Sequence, residues 1–384
     1  MQPVAGHPFL DAVDGSPLVL AARARLRAAQ ARIRAVGVLP DPVVSAEGRR
    51  MRDDGTKGLE LWLEQDLPRW GERDAERGMA RAEVLMAQAE LADARGMAAS
   101  EIAMALSRSR GARARAALQD EEVARMRVLV DQVTAMVAVG GDANATDVLS
   151  LRSRIAAAEL MAADLRRMAI DADDEAGARI GGPAGQALPD MPLPDQTEVV
   201  LGAYAPGLMA QARVAEAEAR EDMARSHGYP MVGVGVGWER EDLDMPDDGV
   251  MAMVAVSIPL YRDAHDAEVR AAQASQLAAR RQVAAERLRA EVLLRRARRA
   301  QQQAEQAERV ATDVATRVEA EIEVLRSQMA AGGGAMGGRD LLMRLFDRLD
   351  ARSQASSTAI EARAEADGMT AELWRFLPLT ATER

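Results

Sequence analysis

Cysteine is absent from this sequence of 384 residues, and lysine occurs once, at Lys57. The lack of thiols excludes disulfides, thiolate metal sites, a cysteine nucleophile and a lipid-modified N-terminal cysteine. Aromatic residues make up only 3% of the chain, so a globular core built on large rings is not expected. The net charge of −11 argues against nucleic acid as a partner, because its phosphates would be repelled.

Long apolar runs are also missing. No stretch of about 18 consecutive apolar residues occurs, so we expect no transmembrane helix. The opening residues contain neither a basic segment nor an apolar one, and they therefore show no recognisable secretory signal.

Motifs of common enzymes are not found either. The sequence has no nucleophile elbow, no P-loop and no dinucleotide fingerprint. The histidines His7, His227 and His265 lack the spacing of metal ligands. We therefore expect a protein that is not an enzyme, with no catalytic residue, no metal site and no cofactor.

Proline is absent from two long stretches, between Pro68 and Pro183 and between Pro259 and Pro378. Because proline breaks a helix interior, each stretch can hold a very long helix. Alanine and arginine, both good helix formers, are abundant there. Both stretches also contain a seam of apolar residues at coiled-coil spacing. The seams are Met126, Val130, Val133 and Val137 in the first stretch, and Val310, Val314, Val318, Ile322, Leu325 and Met329 in the second.

The two halves of the sequence repeat the same landmarks at a nearly constant offset. The motif Leu67-Pro68-Arg69-Trp70 has a counterpart in Ile258-Pro259-Leu260-Tyr261, and Gly140-Gly141 has one in Gly333-Gly334. This pattern indicates an internal duplication. We expect a first repeat over residues 1–180, a linker rich in proline and glycine over 181–195, and a second repeat over 196–384.

Each repeat is predicted to contain a helix, two strands, a very long helix, a glycine turn and a return helix. In the first repeat the hairpin covers 42–67, the long helix 71–139 and the return helix 146–170. In the second repeat they cover 230–260, 262–330 and 339–370 respectively. The breakers and the changes of periodicity set these bounds.

The predicted strands alternate between one apolar face and one small or polar face, and the longer ones could cross a bilayer at a tilt. Four strands cannot close a barrel, and an open edge in lipid leaves unpaired backbone groups. Strands in a membrane would therefore require several subunits to share one barrel, and three copies would supply twelve strands. Trp70 and Tyr261 follow the strand-ending prolines, where membrane-interface aromatics are expected. The alternative is two small soluble hairpins on helical hairpins.

Several short motifs in this duplicated order resemble those of a known family. They are His7-Pro8-Phe9-Leu10, Val38-Leu39-Pro40-Asp41-Pro42, Leu67-Pro68-Arg69-Trp70-Gly71, Ser257-Ile258-Pro259-Leu260-Tyr261, Thr146-Asp147-Val148-Leu149 and Gly337-Gly338-Arg339-Asp340-Leu341-Leu342. The ordered, twice-repeated set resembles the TolC-like outer-membrane factors, also called outer membrane efflux proteins. It is most similar to the heavy-metal branch that exports cobalt, zinc and cadmium or copper and silver.

The resemblance implies a mainly α fold with a small β part, assembled as a trimeric α-helical barrel with a shared 12-stranded β-barrel. It implies a homotrimer in outer-membrane lipid that extends through the periplasm to a periplasmic adaptor (membrane fusion) protein and an inner-membrane pump. The function would be a passive exit duct of a tripartite efflux or type I secretion system, for metal ions or small toxic compounds. The alternatives are a periplasmic adaptor and a soluble coiled-coil scaffold.

The same resemblance suggests site residues at the helix tips. Asp340 matches a ring of gate aspartates, with Asp347, Arg339 and Arg344 as further gate candidates. The alternative is that Asp340 is an acid favoured at a helix start and that the arginines are solvated. Candidate adaptor contacts are Gly140, Gly141, Asp147, Gly333 and Gly334, although turn geometry alone would explain the glycines. The neighbouring acids Glu121 and Glu122 are interpreted as a solvated helix face.

Overall fold

The computed structural model describes residues 8–50, 57–138, 144–183, 188, 190, 194, 201–240, 248–330 and 338–376. Helices dominate this part of the chain. They are α1 (Pro8–Asp14), α2 (Pro17–Arg32), α3 (Glu72–Ala138), α4 (Ala145–Ile180), α5 (Ala205–Ser226), α6 (Arg262–Ala330) and α7 (Gly338–Ala371). Short 3-10 turns occupy Leu201–Ala203 and Glu372–Phe376. Within these ranges, no helix is both long enough and apolar enough to cross a membrane.

Four strands form one antiparallel sheet in the order β1-β2-β3-β4. They are β1 (Val43–Arg50), β2 (Lys57–Leu67), β3 (Met231–Arg240) and β4 (Asp248–Ser257). The central pair joins the two halves of the sequence, with Leu59 opposite Arg240 and Leu67 opposite Val232. In the described part of the chain, β1 and β4 each pair on one side only, so both are edge strands.

The register places opposite kinds of side chain on the two faces of the sheet. Leu61 lies opposite Trp238, and Leu63 lies opposite both Val44 and Val236, on the apolar face. The other face carries mainly acids, methionines and glycines. At Gly237 an added Cβ would lie only 2.8 Å from the Trp62 ring, so the glycine makes room for the indole to lie across β3. Such aromatic cover protects a glycine that would otherwise weaken a strand.

Caps explain where α4 begins and ends. Asn144 precedes the helix, and its side chain accepts a hydrogen bond from the Asp147 N–H, while the Asp147 carboxylate accepts one from the Asn144 N–H. This reciprocal pair satisfies two helix-start donors. At the other end Gly181 adopts a left-handed conformation (φ 80°), and its N–H bonds the last turn. The helix therefore continues ten residues beyond the predicted end at 170, through the acidic segment that follows.

Contacts divide the chain into two compact units, and each unit draws on both halves of the sequence. The first contains Met1–Leu20, Ala92–Tyr204 and Arg289–Arg384; the second contains Ala21–Leu91 and Ala205–Leu288. The two units do not coincide with the two predicted repeats and their linker at 181–195. The repeats and the linker remain a prediction.

An apolar cluster in the first unit joins α3, α4, α6 and α7. Its buried members are Leu129, Val130, Val133, Leu151, Val318, Ile322, Leu345 and Phe346. The coiled-coil seams predicted for the two long helices therefore meet in one core. The side chain of Met329, the last predicted seam residue, lies outside the described residues.

A second core in the first unit concentrates several of the few aromatic residues. Phe9 of α1 packs on Trp374, with ring centres 5.2 Å apart, and Tyr204 stacks on Phe376 at 4.6 Å. Next to it, the buried guanidinium of Arg95 donates to the Asp14 carboxylate at 2.7 Å. These contacts hold α1, a helix that the sequence did not predict.

The second unit contains the sheet and the adjoining parts of the helices. Small residues bring α3 and α5 close together, since a Cβ on Gly78 would lie 3.2 Å from the methyl group of Ala219. Glu221 is buried on α5, and its carboxylate accepts hydrogen bonds from Arg225 and Gln273. The strand β4 ends at Ser257 rather than near residue 260, because Pro259 has no N–H to extend the ladder.

Candidate functional site

The apolar face of the sheet is exposed on the isolated chain. Val250 is 78% exposed and Val44 is 72% exposed, and Leu63, Val236 and Val254 also lie open on this face. A contiguous apolar surface of this kind marks an interaction with a membrane or a partner. Its composition is suited to hydrocarbon, because the strands alternate between apolar and polar positions as lipid-facing strands do.

Aromatic residues lie at both ends of this apolar face. Trp70 and Tyr261, which follow β2 and β4, are 82% and 86% exposed. Since β2 and β4 run in the same direction, both aromatics lie at the same end of the sheet. At the other end Trp238 lies on the apolar face, with the Arg240 guanidinium 5.0 Å from its ring centre. Trp238 was not predicted as an interface aromatic, although its position in phase with Val234 and Val236 could have indicated it.

The opposite face of the sheet is acidic. Glu47 lies opposite Glu60, and Glu60 lies opposite Glu239, so three carboxylates form one row across neighbouring strands. Glu64 and Asp66 continue the acidic side of β2. Like charges placed opposite one another are unfavourable unless water screens them. This face therefore requires an aqueous environment, whereas the other face does not.

The predicted gate residues lie at the start of α7. Asp340 is exposed in the first helical turn, where a helix-start acid would also lie. The side chain of Arg339 falls outside the described residues. Arg344 and Asp347 are exposed, and neither forms an ion pair within the described ranges. Their role in a gate remains a prediction.

Ion pairs between α6 and α7 involve other arginines. Arg348 bonds Glu321 at 2.7 Å, and Arg352 bonds Glu319 at 3.0 Å. Arg348 lies one turn of α7 beyond the gate candidate Arg344, and Arg352 lies two turns beyond it. Sequence spacing alone does not reveal the partner on another helix, which is why these pairs were missed.

The predicted adaptor contacts are only partly visible. Gly140, Gly141, Gly333 and Gly334 lie outside the described residues. Asp147 is half-exposed, and its carboxylate serves the capping box at the start of α4. The cap accounts for this acid, and a contact with an adaptor remains a prediction.

A half-buried acid on α3 was not foreseen. Glu122 borders a cavity of about 630 Å³ between α3, α4 and α7, together with Asp350 and Ser353. Burial raises the pKa of Glu122, and nearby Asp350 raises it further, against the lowering effect of the hydrogen bond from Ser353. Glu122 precedes Met126 by one helical turn and is thus in phase with the apolar seam, a signal that separates it from exposed Glu121. Among the described residues, no cluster of three or more histidine, aspartate or glutamate side chains is arranged to hold a metal ion.

Comparison with known proteins gives one family and a set of related folds. The family model for the outer membrane efflux protein matches residues 11–174. No curated protein matches the sequence. Solved channels share the fold over almost the whole chain, as the following values show.

The outer membrane protein VceC from Vibrio cholerae aligns with a TM-score of 0.78 at 17% identity, covering 95% of this chain and 94% of VceC. The MtrE outer membrane channel of Neisseria gonorrhoeae aligns with a TM-score of 0.71 at 17% identity, covering 96% of this chain and 87% of MtrE. The transmembrane channel protein CusC aligns with a TM-score of 0.74 at 14% identity, covering 95% of this chain and 90% of CusC. At these identities the structural similarity establishes the fold, which is the mainly α fold with a small antiparallel sheet that the sequence predicts.

The family model adds what the fold alone does not. It matches the segment from α1 to α4, including the first hairpin, and it describes outer membrane efflux proteins. Family and fold agree: residues 11–174 match the outer membrane efflux proteins, and the fold of the chain is similar to that of solved outer membrane channels.

Proposed function

We propose that three copies of this chain form the outer-membrane exit duct of a tripartite efflux system. The observation that carries the proposal is the sheet with one exposed apolar face and two edges, β1 and β4, that pair on one side only. In hydrocarbon such edges would leave backbone groups unpaired, so a neighbouring copy must cover them.

The strand count favours closure between identical subunits. Neighbouring strands in the sheet are antiparallel, and four is an even number, so β4 of one copy would also be antiparallel to β1 of the next. Three copies then give a twelve-stranded barrel, within the range of transmembrane barrels. The apolar face would meet lipid, and the acidic face would line water. A periplasmic adaptor or a soluble scaffold would leave the apolar face without an explanation.

The duct itself would be passive. The acidic lining favours cations over anions, and we propose small toxic solutes, metal ions among them, as cargo. A periplasmic adaptor and an inner-membrane pump would engage the helix tips and supply the driving force. The likeness to CusC is no stronger than the likeness to VceC, so the fold does not favour the heavy-metal branch.

Cysteine cross-linking tests the shared barrel directly, because the chain contains no cysteine of its own. Ser45 and Met251 lie in one lateral row, three strand spacings apart, which is about 14 Å. A disulfide needs Cα atoms within about 7 Å, so Ser45→Cys and Met251→Cys cannot be joined inside one subunit. We expect the purified double variant in detergent to form covalent dimers and trimers upon oxidation.

The stagger between subunits is unknown, so Val43→Cys and Glu47→Cys should each be combined with Met251→Cys as well. The single variants serve as controls and should not give covalent trimers. Light scattering would measure the mass in detergent. A monomeric protein in which none of these combinations yields a trimer would rule out the shared barrel.

Cargo class requires a cellular measurement. Cells that lack the chain should become sensitive to its substrates, and challenge with metal salts and with organic toxicants separates the two classes. Sensitivity to metals alone would place the protein in the heavy-metal branch, and sensitivity to organic compounds alone would exclude it from that branch.

A further inference from the structure

Glu122 lies where α3 and α7 pack together. The hydroxyl group of Ser353, a buried residue of α7, donates a hydrogen bond to the Glu122 carboxylate. Asp350 lies one turn away on the same helix and borders the same cavity. Two acids on different helices therefore border one cavity, where Glu122 accepts from the Ser353 hydroxyl group and Asp350 accepts from the Gln354 amide at 3.0 Å.

The basic residues around the cavity do not neutralise this pair. Arg125 of α3 bonds Glu121 at 3.3 Å, Arg115 of α3 bonds Glu361 at 3.0 Å, and Arg352 of α7 bonds Glu319 at 3.0 Å. Arg154 of α4 is exposed on the cavity wall. Within the described residues, no ion pair joins any of these four arginines to Glu122. The Ser353 hydrogen bond and, less strongly, the charge of Arg125 lower the pKa of Glu122, but burial, the largest effect, together with Asp350 leaves it raised.

The acid pair adjoins the apolar cluster of the first unit. Phe346 precedes Asp350 by one turn of α7, and Leu129 follows Glu122 by two turns of α3. A change in the α3–α7 contact at Glu122 therefore also changes the packing of the apolar cluster, which holds the four helices together near their tips.

We propose that Glu122 and Asp350 form a proton-sensitive latch that tightens the packing of α7 on α3 when the surroundings become acidic. Protonation of Glu122 removes the repulsion between the two carboxylates, and the protonated Glu122 can donate a hydrogen bond of its own. The consequence for transport rests on the proposed function. In a duct built from these helices, conductance would fall as the latch tightens.

The direction of the pH effect follows from the raised pKa of Glu122. The packed state binds the proton more strongly than the unfolded or separated state does. Its extra stability is therefore complete below the ordinary glutamate pKa and is lost as pH rises through the raised value. Above the raised pKa of Glu122 that carboxyl is ionised, and the latch is weakest.

A pair of spin labels can report this contact without any assumption about transport. Ala117 of α3 and Thr358 of α7 are exposed, and they lie between two α3–α7 contacts, Gly111 with Ala364 and Glu122 with Ser353. In the full-length, cysteine-free chain, Ala117→Cys and Thr358→Cys give one short distance within the subunit. We expect its distribution to narrow and shorten when the buffer is changed from about pH 7.5 to about pH 5, because acid favours the protonated form of Glu122, whose pKa is raised.

Two variants decide whether Glu122 is responsible. Glu122→Gln imitates the protonated acid and should show the narrow distribution at both pH values. Glu121→Gln changes the exposed neighbour and should respond to pH as the unaltered chain does. The latch is wrong if the unaltered chain shows no response, or if Glu122→Gln and Glu121→Gln respond alike.

Conductance in planar bilayers provides a separate measurement on the same proteins. We expect acid to lower the conductance of the unaltered chain and of Glu121→Gln, and to have little effect on Glu122→Gln. Absence of conductance in every variant at every pH would count against the duct, while the distance measurement would still decide the latch.

Discussion

At the scale of single residues, two helical glycines have opposite surroundings. A Cβ on Gly111 of α3 would lie 2.7 Å from the Ala364 methyl group of α7, whereas nothing lies within 4 Å of a Cβ on Gly368. Replacing a helical glycine by alanine stabilises an unobstructed helix by about 1 kcal/mol. Overpacking a close contact costs about 1–3 kcal/mol.

We therefore expect Gly111→Ala to lower the thermal unfolding midpoint in detergent and Gly368→Ala to raise it. Circular dichroism at the helical band measures both. The two substitutions add the same methyl group to the same type of backbone, so each is the control for the other. Shifts of the same sign would contradict the packing of α3 on α7 at Gly111.

The residue scale is also where sequence and structure differ most. Glu121 and Glu122 look alike as a charged pair, but only Glu121 is exposed, because Glu122 lies in phase with Met126 and Val130. Helical phase could have separated the two. The partner of Glu122 could not have been found, because Ser353 lies more than 200 positions away and comes close only through the packing of α7.

At the scale of elements, proline, glycine and periodicity predicted most of the fold. The bounds of α3, α6 and the strands β2 and β3 agree with the sequence within one or two residues. The end of α4 did not agree, because its acidic segment resembles a solvated loop and only the cap at Gly181 defines the stop. The candidate tip glycines lie outside the described residues, so their contacts remain predictions.

The helix α1 shows why a short element escapes sequence analysis. Seven residues are too few for a visible periodicity or for a helix that is stable alone. Its stability comes instead from buried Phe9 and Val13 and from the bond between Asp14 and Arg95. The packing partner of Phe9 is Trp374, at the far end of the chain.

Phe9→Ala should therefore release α1 from the core. Loss of a fully buried phenylalanine costs about 3–5 kcal/mol, which exceeds what a seven-residue helix can contribute by itself. We expect faster proteolysis near the N-terminus and a red shift in tryptophan emission as Trp374 meets water. Asp11→Ala, on the exposed side of the same helix, should change neither signal. If Phe9→Ala also leaves proteolysis and tryptophan emission unchanged, α1 is held by other contacts.

At the scale of the whole molecule, the sheet connects sequence, assembly and transport. Each subunit contributes one apolar face, one acidic face and two edges that pair on one side only. Only a closed assembly satisfies all three at once, because closure pairs the edges, turns the apolar face toward lipid and encloses the acidic face around water. In the proposed homotrimer, each copy would supply two hairpins, and its neighbours would supply the remaining closure.

The acidic row predicts the ion selectivity of such a duct. Glu47, Glu60 and Glu239 lie at one level in each subunit, so three subunits would surround the pore with a ring of carboxylates. Under a potassium chloride gradient, the reversal potential in a planar bilayer should show a preference for cations. The preference should be greater at low salt, because charges are screened beyond a Debye length of only about 10 Å at 0.1 M.

Glu60→Gln combined with Glu239→Gln should reduce the preference for cations. Asp248→Asn removes a carboxylate from the other face of the same sheet and should leave the preference in place. Anion preference, or equal effects of the two changes, would mean that the acidic face does not line the pore.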